Sequence, residues 1–326
     1  MLRTKDLKQR VTENQNRLPN PNGSRLWKRI RLHGGYYLIA LPVLLFFLIF
    51  NYVPMYGVVI AFKEYNPRAG ILESKWADPW FKYFKMAFDS PIFMRSVRNS
   101  FIIACQKIFF GFPFPIILAL LIDQIRRPRY KKVVQTVSYL PYFISWVILS
   151  GILRNVLSQS TGALNALITS LGGKAIDFFG DSKVFRGTVF WTFLWKSIGY
   201  DTIIYLAAIS GVDPQQIEAA KLDGASRFQI VLHIILPSIM PVLIIMMILN
   251  LRGILSAGFD QIFNMYSEIV YKTGDIIDTY TYRLAMNKQQ FSYSTAVGLF
   301  QSVIGLVLVL ITNAIARHVD KDSALV

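Results

Sequence analysis

Three basic side chains interrupt otherwise apolar stretches of this 326-residue chain: Lys107, Lys196 and Arg252. A charge at membrane depth is unfavourable unless it faces a wet cavity or a partner. Aromatic and amide side chains accompany them in the same stretches: Trp191, Trp195, Tyr200 and Asn250. Aromatic rings can stack on sugar faces, whereas amides and cations bind hydroxyls or carboxylates. The pattern predicts a path for a ligand that bears hydroxyl groups. In one version of this prediction the ligand is also acidic. Two plainer interpretations stay open, with Trp191 as an interface anchor and Arg252 as a snorkelling side chain.

Six apolar stretches are long enough to hold these residues inside a membrane. They cover residues 36–61, 97–122, 133–153, 184–209, 234–256 and 295–316. The composition agrees, since 53% of the residues are apolar and the mean hydropathy is +0.40. We therefore predict an all-α membrane protein with six transmembrane helices, in which residues 34–326 form the membrane domain.

The basic residues predict the orientation of these spans. Residues 1–33 hold nine Lys or Arg against two acids, and the 123–132 connection holds five against Asp123. The 154–183 and 257–294 connections are nearly balanced, so they belong outside. Both termini, including a basic tail over 1–33, and the 211–233 loop are then cytosolic. The net charge of +16 follows from this orientation and does not predict nucleic-acid binding.

The cytosolic loop between the fourth and fifth spans has the signals of a short helix. Asp213 can cap it, Pro214 suits its first position, Gln216 can complete a capping box and Gly224 can stop it. A second helix can start at Ala225. Small and charged side chains occupy the first helix: Glu218, Ala219, Ala220, Lys221 and Asp223. A helix about 13 Å long with so little bulk fits a cleft in another protein, and an ordinary amphipathic connection is the alternative.

These residues resemble a known family. Glu218-Ala219-Ala220, Gly224 and Ile234-x-Leu236-Pro237 are similar to the EAA loop of the membrane subunits of binding-protein-dependent ABC importers. Residues 51–66 and 258–282 look like segments of the polysaccharide and complex-carbohydrate branch of that family. The resemblance covers nearly everything from residue 35 onward.

The resemblance implies a permease domain in the bacterial inner membrane. It identifies the ATPase-coupling residues as Glu218, Ala219, Ala220, Asp223 and Gly224. It implies an ATP-driven importer for an oligo- or polysaccharide, with an acidic, alginate-like polymer among the candidates. The implied partners are a second permease in a heterodimer, two ATP-binding cassette subunits that hold ATP and magnesium, and an external solute-binding protein. No cofactor, catalytic residue or metal site is expected on this chain.

Two other classes of function were weighed. The chain has no GxxxxGK[ST] loop, because Gly172-Gly173-Lys174 lacks the spacing, so an ATP-driven mechanism needs a separate ATPase. An ion- or proton-driven carrier would need none, but such carriers use intramembrane acids, and Asp201 is nearly alone. A membrane-embedded enzyme would need a cluster of acids or metal ligands, and the three histidines are far apart.

Two further patterns concern packing. A helix after Asp78-Pro79 would place Trp80, Phe84 and Phe88 on one face, typical of a helix in the membrane interface. Small residues recur at helical spacing in the last span and predict a face for tight helix packing: Ser294, Gly298, Ser302 and Gly305.

Overall fold

The computed structural model describes residues 34–251 and 255–319, in two units that divide between Val59 and Ile60. The predicted basic tail over 1–33 and Arg252 lie outside the described residues. In the first unit, α1 spans Gly34–Phe47, a π-helical turn spans Leu48–Tyr52 and α2 spans Val53–Met55. No residue among 34–59 is buried, which suits an apolar helix whose surroundings are lipid.

The second unit opens with a small β-ribbon that the all-α prediction did not include. Strands β1 (Lys63–Glu64) and β2 (Lys75–Trp76) pair antiparallel, with Lys63 opposite Trp76, and α3 (Gly70–Glu73) lies between them. The 3₁₀ helix Tyr56–Phe62 leads into β1. The hydroxyl of Ser292 donates to the Lys63 carbonyl at 2.6 Å and accepts from the Tyr65 N–H at 3.0 Å. The ribbon is thereby attached to the start of the last helix.

Helix α4 (Lys82–Phe88) starts later than the sequence predicts, so it carries Phe84 and Phe88 of the predicted aromatic face while Trp80 precedes it. The rings of Trp80 and Phe84 lie 5.7 and 5.4 Å from that of Phe62, and Phe88 lies 5.2 Å from Phe300. Trp80 and Phe88 keep much of their surface exposed. The face is therefore partly a packing surface of the protein and not only a membrane contact.

The helices from Pro91 to Leu251 follow in chain order. They are α5 (Pro91–Cys105), a π-helix (Gln106–Phe110), α6 (Pro113–Asp123), α7 (Pro128–Tyr139), a 3₁₀ helix (Leu140–Phe143), α8 (Trp146–Val156), α9 (Ala163–Ser170), α10 (Phe185–Ser210), α11 (Pro214–Leu222), α12 (Arg227–Ile230), a π-helix (Val231–Ile235) and α13 (Leu236–Leu251).

The segment between α13 and the last helix is folded throughout its described part. It contains α14 (Phe259–Met265), a 3₁₀ turn (Glu268–Val270), α15 (Tyr271–Gly274), α16 (Ile277–Tyr282) and a π-helix (Arg283–Asn287), and α17 (Phe291–Val319) follows it. Its length predicts a role beyond passive connection, and the structure packs it into a hydrophobic cluster that it shares with α5, α10 and α17.

Four helices in the described ranges are long and apolar enough to cross a membrane: Gly34–Phe62, Pro91–Asp123, Arg227–Leu251 and Phe291–Ile311. The pair Pro128–Phe143 and Trp146–Val156 makes a fifth span if its bend of 103° lies within one crossing. Helix α10 is 26 residues long, about 39 Å at 1.5 Å per residue, but it is too polar to pass the same test. Six spans therefore stay a prediction.

The bend in the third predicted span has a local cause. Pro141 cannot donate a backbone hydrogen bond, and the chain is extended at Ile144 before Ser145 caps α8. Carbonyl groups freed inside a membrane need another donor. The ammonium group of Lys196 on α10 supplies it, donating to the carbonyls of Pro141, Tyr142 and Ile144 at 3.3, 2.5 and 2.6 Å.

Two hydrophobic clusters hold the second unit together. One joins α5, α10, α17 and the folded segment after α13, and includes Phe93, Phe185, Ile262 and Ile277. The other joins α6, α10, α12 and α13, and includes Ile122, Tyr205 and Ile239. Gly199 allows α10 to approach α7 closely, because an added Cβ there would overlap the Ser138 carbonyl.

Candidate coupling segment and transport path

Helix α11 forms as the sequence predicts. The Asp213 carboxylate accepts from the Gln215 N–H at 2.9 Å, and Pro214 occupies the first helical position. The helix ends in a Schellman motif, in which Ala225 N–H donates to the Ala220 carbonyl at 2.9 Å. Gly224 has φ +80°, a conformation that favours glycine.

The capping box, however, belongs to the next helix. The structure shows it at Ser226 and Gln229, where the side chains and backbone N–H groups of the two residues bond reciprocally at the start of α12. Gln216 is not part of such a box, and the second helix starts at Arg227, two residues after the expected Ala225. The cap residue differs, since Ser226 has the hydroxyl that a capping box uses, whereas the Asp213 carboxylate accepts from the Gln215 N–H.

The five predicted coupling residues separate into two groups. Ala220 packs with Ile217 and Ala225 against the cluster around Ile122 and Tyr205. The other four predicted residues are exposed: Glu218, Ala219, Asp223 and Gly224. The helix is thus held on the membrane core by one face and shows a small, charged face to its surroundings.

The basic 123–132 connection lies beside this helix. A cavity of about 330 Å³ between them is lined by residues of both segments, among them Asp123, Arg126, Lys221 and Arg227. The charge of the 123–132 connection predicts that it is cytosolic, and the count of six spans predicts the same for the 211–233 loop. Their contact is consistent with that prediction, because segments on one side of a membrane can meet only on that side.

The predicted outer segments also contact one another. Arg154 donates to the carbonyls of Asn264 and Met265 at 3.1 Å each. The Thr273 hydroxyl donates to the Ser182 carbonyl at 2.8 Å, and Ser182 donates to the Ile269 carbonyl at 3.3 Å. The 154–183 and 257–294 connections therefore form one structured layer.

Lys107 lies in the π-helix that follows α5, and its ammonium group bonds to other groups of this chain. Its ammonium donates to the Ala257 carbonyl at 2.7 Å and to the Gln261 side chain at 2.6 Å. Gln261 donates in turn to the Val189 carbonyl at 2.7 Å and to Thr192 at 2.9 Å. The cation therefore joins the π-helix after α5 to α10 and to the 257–294 segment.

Lys196 is committed in a similar way. An ammonium has three donors, and the three carbonyls at the bend between α7 and α8 receive them. The same nitrogen lies 5.3 and 5.5 Å from the ring centres of Tyr142 and Trp146. Its contacts support the helix bend, and contact with a substrate stays a prediction.

The three predicted aromatic residues divide between two places. Trp191 and Trp195 are 59% and 50% exposed and line an apolar cavity of about 540 Å³ beside α8 and α9. Tyr200 stacks on Tyr142 with ring centres 3.7 Å apart. Asn250 and Lys107 meet at a third place, a cavity of about 60 Å³ that Asp201 also lines. Among the described residues, the predicted path residues thus do not converge on one pocket.

Sequence reasoning missed three polar groups of the outer layer. Asp275, fully buried, pairs with Arg283 at 2.6 Å, and Gln261 bridges Lys107 to α10. Asp278 lines a cavity of about 920 Å³. Burial raises the pKa of the Asp278 carboxyl, although a hydrogen bond from Gln301 opposes that rise. Only the unusual length of the 257–294 segment indicated them.

Replacing Lys196 with methionine should destabilise the bend between α7 and α8. Each buried carbonyl that loses its donor costs about 1–3 kcal/mol, although interhelical hydrogen bonds in membranes average nearer about 0.6 kcal/mol. We expect a lower unfolding temperature in detergent for Lys196→Met and partial recovery with Lys196→Arg. The exposed Lys183→Met is the control. Unchanged uptake of an anionic oligosaccharide by Lys196→Met would remove Lys196 from the substrate path.

The helices and the outer layer define a multi-pass helical membrane protein with a capped, exposed helix beside a basic connection. A family model described as "Binding-protein-dependent transport system inner membrane component" matches residues 111–324, and the chain belongs to that family. It is a transport component and not an enzyme, of the kind found in sugar and polysaccharide ABC importers.

Two relatives from Bacillus subtilis (strain 168) support this assignment. Protein LplB is 43% identical over 286 residues, which is 88% of this chain and 89% of the relative. The polygalacturonan/rhamnogalacturonan transport system permease protein YteP is 41% identical over 88% of each chain.

A solved structure has the same fold. It is a chain of a bacterial alginate ABC transporter in complex with an alginate pentasaccharide-bound periplasmic protein. That chain is 38% identical to this one, with a TM-score of 0.84, and the match covers 91% of this chain and 99% of the other.

Proposed function

We propose that this chain forms, with a second permease subunit, the membrane path of an ATP-driven importer for an oligo- or polysaccharide. The observation that carries the proposal is the geometry of α11, which is capped at both ends, anchored on the core through Ala220 and exposed at Glu218 and Ala219. Such an element can transmit a push without deforming, because its ends are fixed and its inner face is packed.

The topology that this proposal requires has six spans with both termini in the cytosol. Helix α10 is then the fourth span and α7 with α8 the third. The contact between the basic 123–132 connection and α11 supports the inner side, and the layer formed by 154–183 and 257–294 supports the outer side. An external solute-binding protein would deliver substrate to that outer layer, while two ATP-binding cassette subunits would dock at α11.

The substrate path would use the aromatic side chains that remain exposed in this chain. Trp191 and Trp195 offer ring faces, Tyr200 offers part of one, and Asn250 offers an amide. Lys107 and Lys196 would shape the path by holding its walls. The relative YteP is named for polygalacturonan and rhamnogalacturonan, and the similar solved structure is named for alginate. These names support a polysaccharide substrate for this chain as well.

The test is reconstitution of the chain with a second permease, the ATPase subunits and a solute-binding protein in liposomes. We expect ATP hydrolysis and uptake to rise with some members of a saccharide panel and with no imposed ion gradient. Uptake that follows a proton or sodium gradient in the absence of ATP would overturn the proposal in favour of a secondary carrier.

A further inference from the structure

The cavity of about 330 Å³ between the 123–132 connection and the segment of α11 and α12 is rich in positive charge. Three basic side chains line it: Arg126, Lys221 and Arg227. All three are exposed, and none forms an ion pair or a side-chain hydrogen bond with another described residue. Like charges around one cavity repel one another, and an anion placed between them relieves that repulsion.

Asp123 is the only acid among the described residues that line this cavity, and it has a partner of its own. Its carboxylate lies 3.4 Å from the Lys131 ammonium, so its charge is balanced without the three cations of the wall. The connection carries more positive charge nearby, on Arg127, Arg129 and Lys132. The cavity therefore attracts anions.

The apolar part of the wall places the cavity at the edge of the membrane. Ile125 follows the second predicted span, 97–122, by three positions, and Ile235 lies at the start of the fifth, 234–256. Two further isoleucines line the wall beside them. In the topology of six spans, this is the depth of the phospholipid head groups on the cytosolic side. Basic pockets between transmembrane helices at that depth bind anionic head groups.

The cavity lies on the core side of α11 and not on the face proposed to dock the ATPase. Lys221 follows Ile217 by four positions, so the two share one face of the helix, and both line the cavity. Ile217 also packs against the cluster around Ile122 and Tyr205. Ala219 lies about 200° around the helix from Ile217, at about 100° per residue. An ATPase docked at Ala219 and a ligand in the cavity would therefore occupy different sides of α11.

We propose that this cavity binds the head group of an anionic phospholipid from the cytosolic leaflet. The proposal rests on the proposed function for its topology and adds a lipid partner. The phosphate lies between Arg126, Lys221 and Arg227, and the apolar end of the lipid follows the isoleucines. Guanidinium groups bind phosphate oxygens through two parallel hydrogen bonds, whereas a lysine adds a point charge. A lipid held there joins the 123–132 connection to α11 and α12, and so supports α11 from the side opposite to the ATPase.

The experiment is native mass spectrometry of the assembled transporter in detergent, with equal amounts of dioleoyl phosphatidylglycerol and dioleoyl phosphatidylcholine. The two lipids have the same acyl chains and differ in net charge, and we expect preferential retention of phosphatidylglycerol. Arg126→Gln and Arg227→Gln should each lower its affinity about fivefold, since a cation near the membrane surface contributes about 1 kcal/mol. Both side chains are exposed, so both variants should fold, and they isolate this site from lipid bound elsewhere on the complex.

Arg129→Gln is the matched control, because it removes the same charge from the same connection at a residue that does not line the cavity. It should change the affinity much less than Arg126→Gln does. Arg126→Lys keeps the charge and should retain most of the preference for phosphatidylglycerol. Inorganic phosphate, added at matched ionic strength, should not displace the lipid, because it has no apolar part to contact the isoleucines.

Four results would overturn the inference. Equal retention of the two lipids would remove the preference for an anion, and an equal effect of Arg129→Gln would indicate diffuse attraction to a basic surface. Displacement by inorganic phosphate would indicate a soluble anion. Loss of the ATPase subunits from both arginine variants, with lipid retention unchanged, would assign the cations to an ATPase contact.

These measurements need no ATP hydrolysis, so they separate the lipid site from the proposed function. Selective lipid retention without any saccharide-stimulated hydrolysis would defeat the proposed function alone. Stimulated hydrolysis without selective retention would defeat only the lipid site.

Discussion

Replacing Asp275 with asparagine should lower the free energy of unfolding by about 3–5 kcal/mol, the usual effect of removing one partner of a buried ion pair. Asp275 is fully buried and its carboxylate lies 2.6 Å from the Arg283 guanidinium. It also accepts from Thr279 at 2.8 Å and from Ser96 at 3.3 Å. Asparagine has nearly the same shape as aspartate, so the loss of stability measures the effect of removing the charge.

The consequence extends beyond the pair, because Arg283 is largely buried as well. In the Asp275→Asn variant, Arg283 would still donate to the Tyr266 hydroxyl at 3.1 Å and lie 4.2 Å from the centre of the Tyr271 ring. It would have no carboxylate partner. Asn99, on α5, donates to the Asp275 carbonyl at 2.9 Å and accepts from Arg186 at 2.7 Å. The outer layer is therefore fastened to α5 and α10 around this residue, and its loosening should expose the segment to proteolysis.

Thermal and denaturant unfolding of the purified chain in detergent would measure this effect. Asp260→Asn is the control and should change stability by less than about 0.5 kcal/mol, as surface substitutions do. The double variant Asp275→Asn with Arg283→Met should cost less than the sum of the two single changes. An Asp275→Asn variant as stable as its control would show that the ion pair does not hold the outer layer.

A bulky residue at Ala219 should abolish coupling while the chain still folds. Ala219 is exposed on α11, so tryptophan has room within this chain. In a docked complex the same ring would overfill the interface at a cost of about 1–3 kcal/mol, equivalent to about 10- to 100-fold in affinity. We expect Ala219→Trp to reach the membrane in normal amounts and to lose both ATPase subunits and saccharide-stimulated ATP hydrolysis.

The neighbouring alanine gives a matched contrast. Ala220 packs against the core, so Ala220→Trp should reduce the amount of folded chain, whereas Ala219→Ser should be neutral in both assays. Equal behaviour of Ala219→Trp and Ala220→Trp would mean that α11 does not separate into an anchored and a docking face.

The backbone conformation of Gly224 decides which substitutions can test it. Its φ of +80° is the only obstacle, since an added Cβ would meet nothing within 4 Å. Aspartate tolerates the left-handed region better than most residues, so Gly224→Asp is a mild test of coupling. A β-branched residue is strained in that conformation. Gly224→Val should therefore disturb the end of α11 and uncouple transport more strongly than Gly224→Asp.

Local signals predicted helix α11 well. Asp213, Pro214 and Gly224 act within their own turn of chain, and each does in the structure what its type requires. The charge of the 123–132 connection and the count of spans likewise assigned that connection and the 211–233 loop to one side, and residues of both line one cavity. The capping box was assigned one helix too early, because both Gln216 and Gln229 follow a capping residue by three positions.

The long-range partners could not be predicted in this way. Lys107 contacts residues 150 and 154 positions away, and Lys196 supports carbonyls about fifty positions earlier in the chain. From sequence, both were cations in apolar stretches, and a polar ligand was the natural partner. The structure gives them backbone carbonyls and an amide instead. Asp275 and Asp278 carried no signal at all, since their roles depend on which helices surround them.

The central claim is that α11 contacts a separate ATPase from the cytosol. It is tested most directly by crosslinking from Ala219→Cys in a Cys105→Ser background, with the transporter assembled in membranes. We predict an adduct with the ATPase subunit whose yield changes when ATP is bound. The absence of any such adduct, together with labelling of the new cysteine by a membrane-impermeant thiol reagent added outside intact cells, would contradict the account.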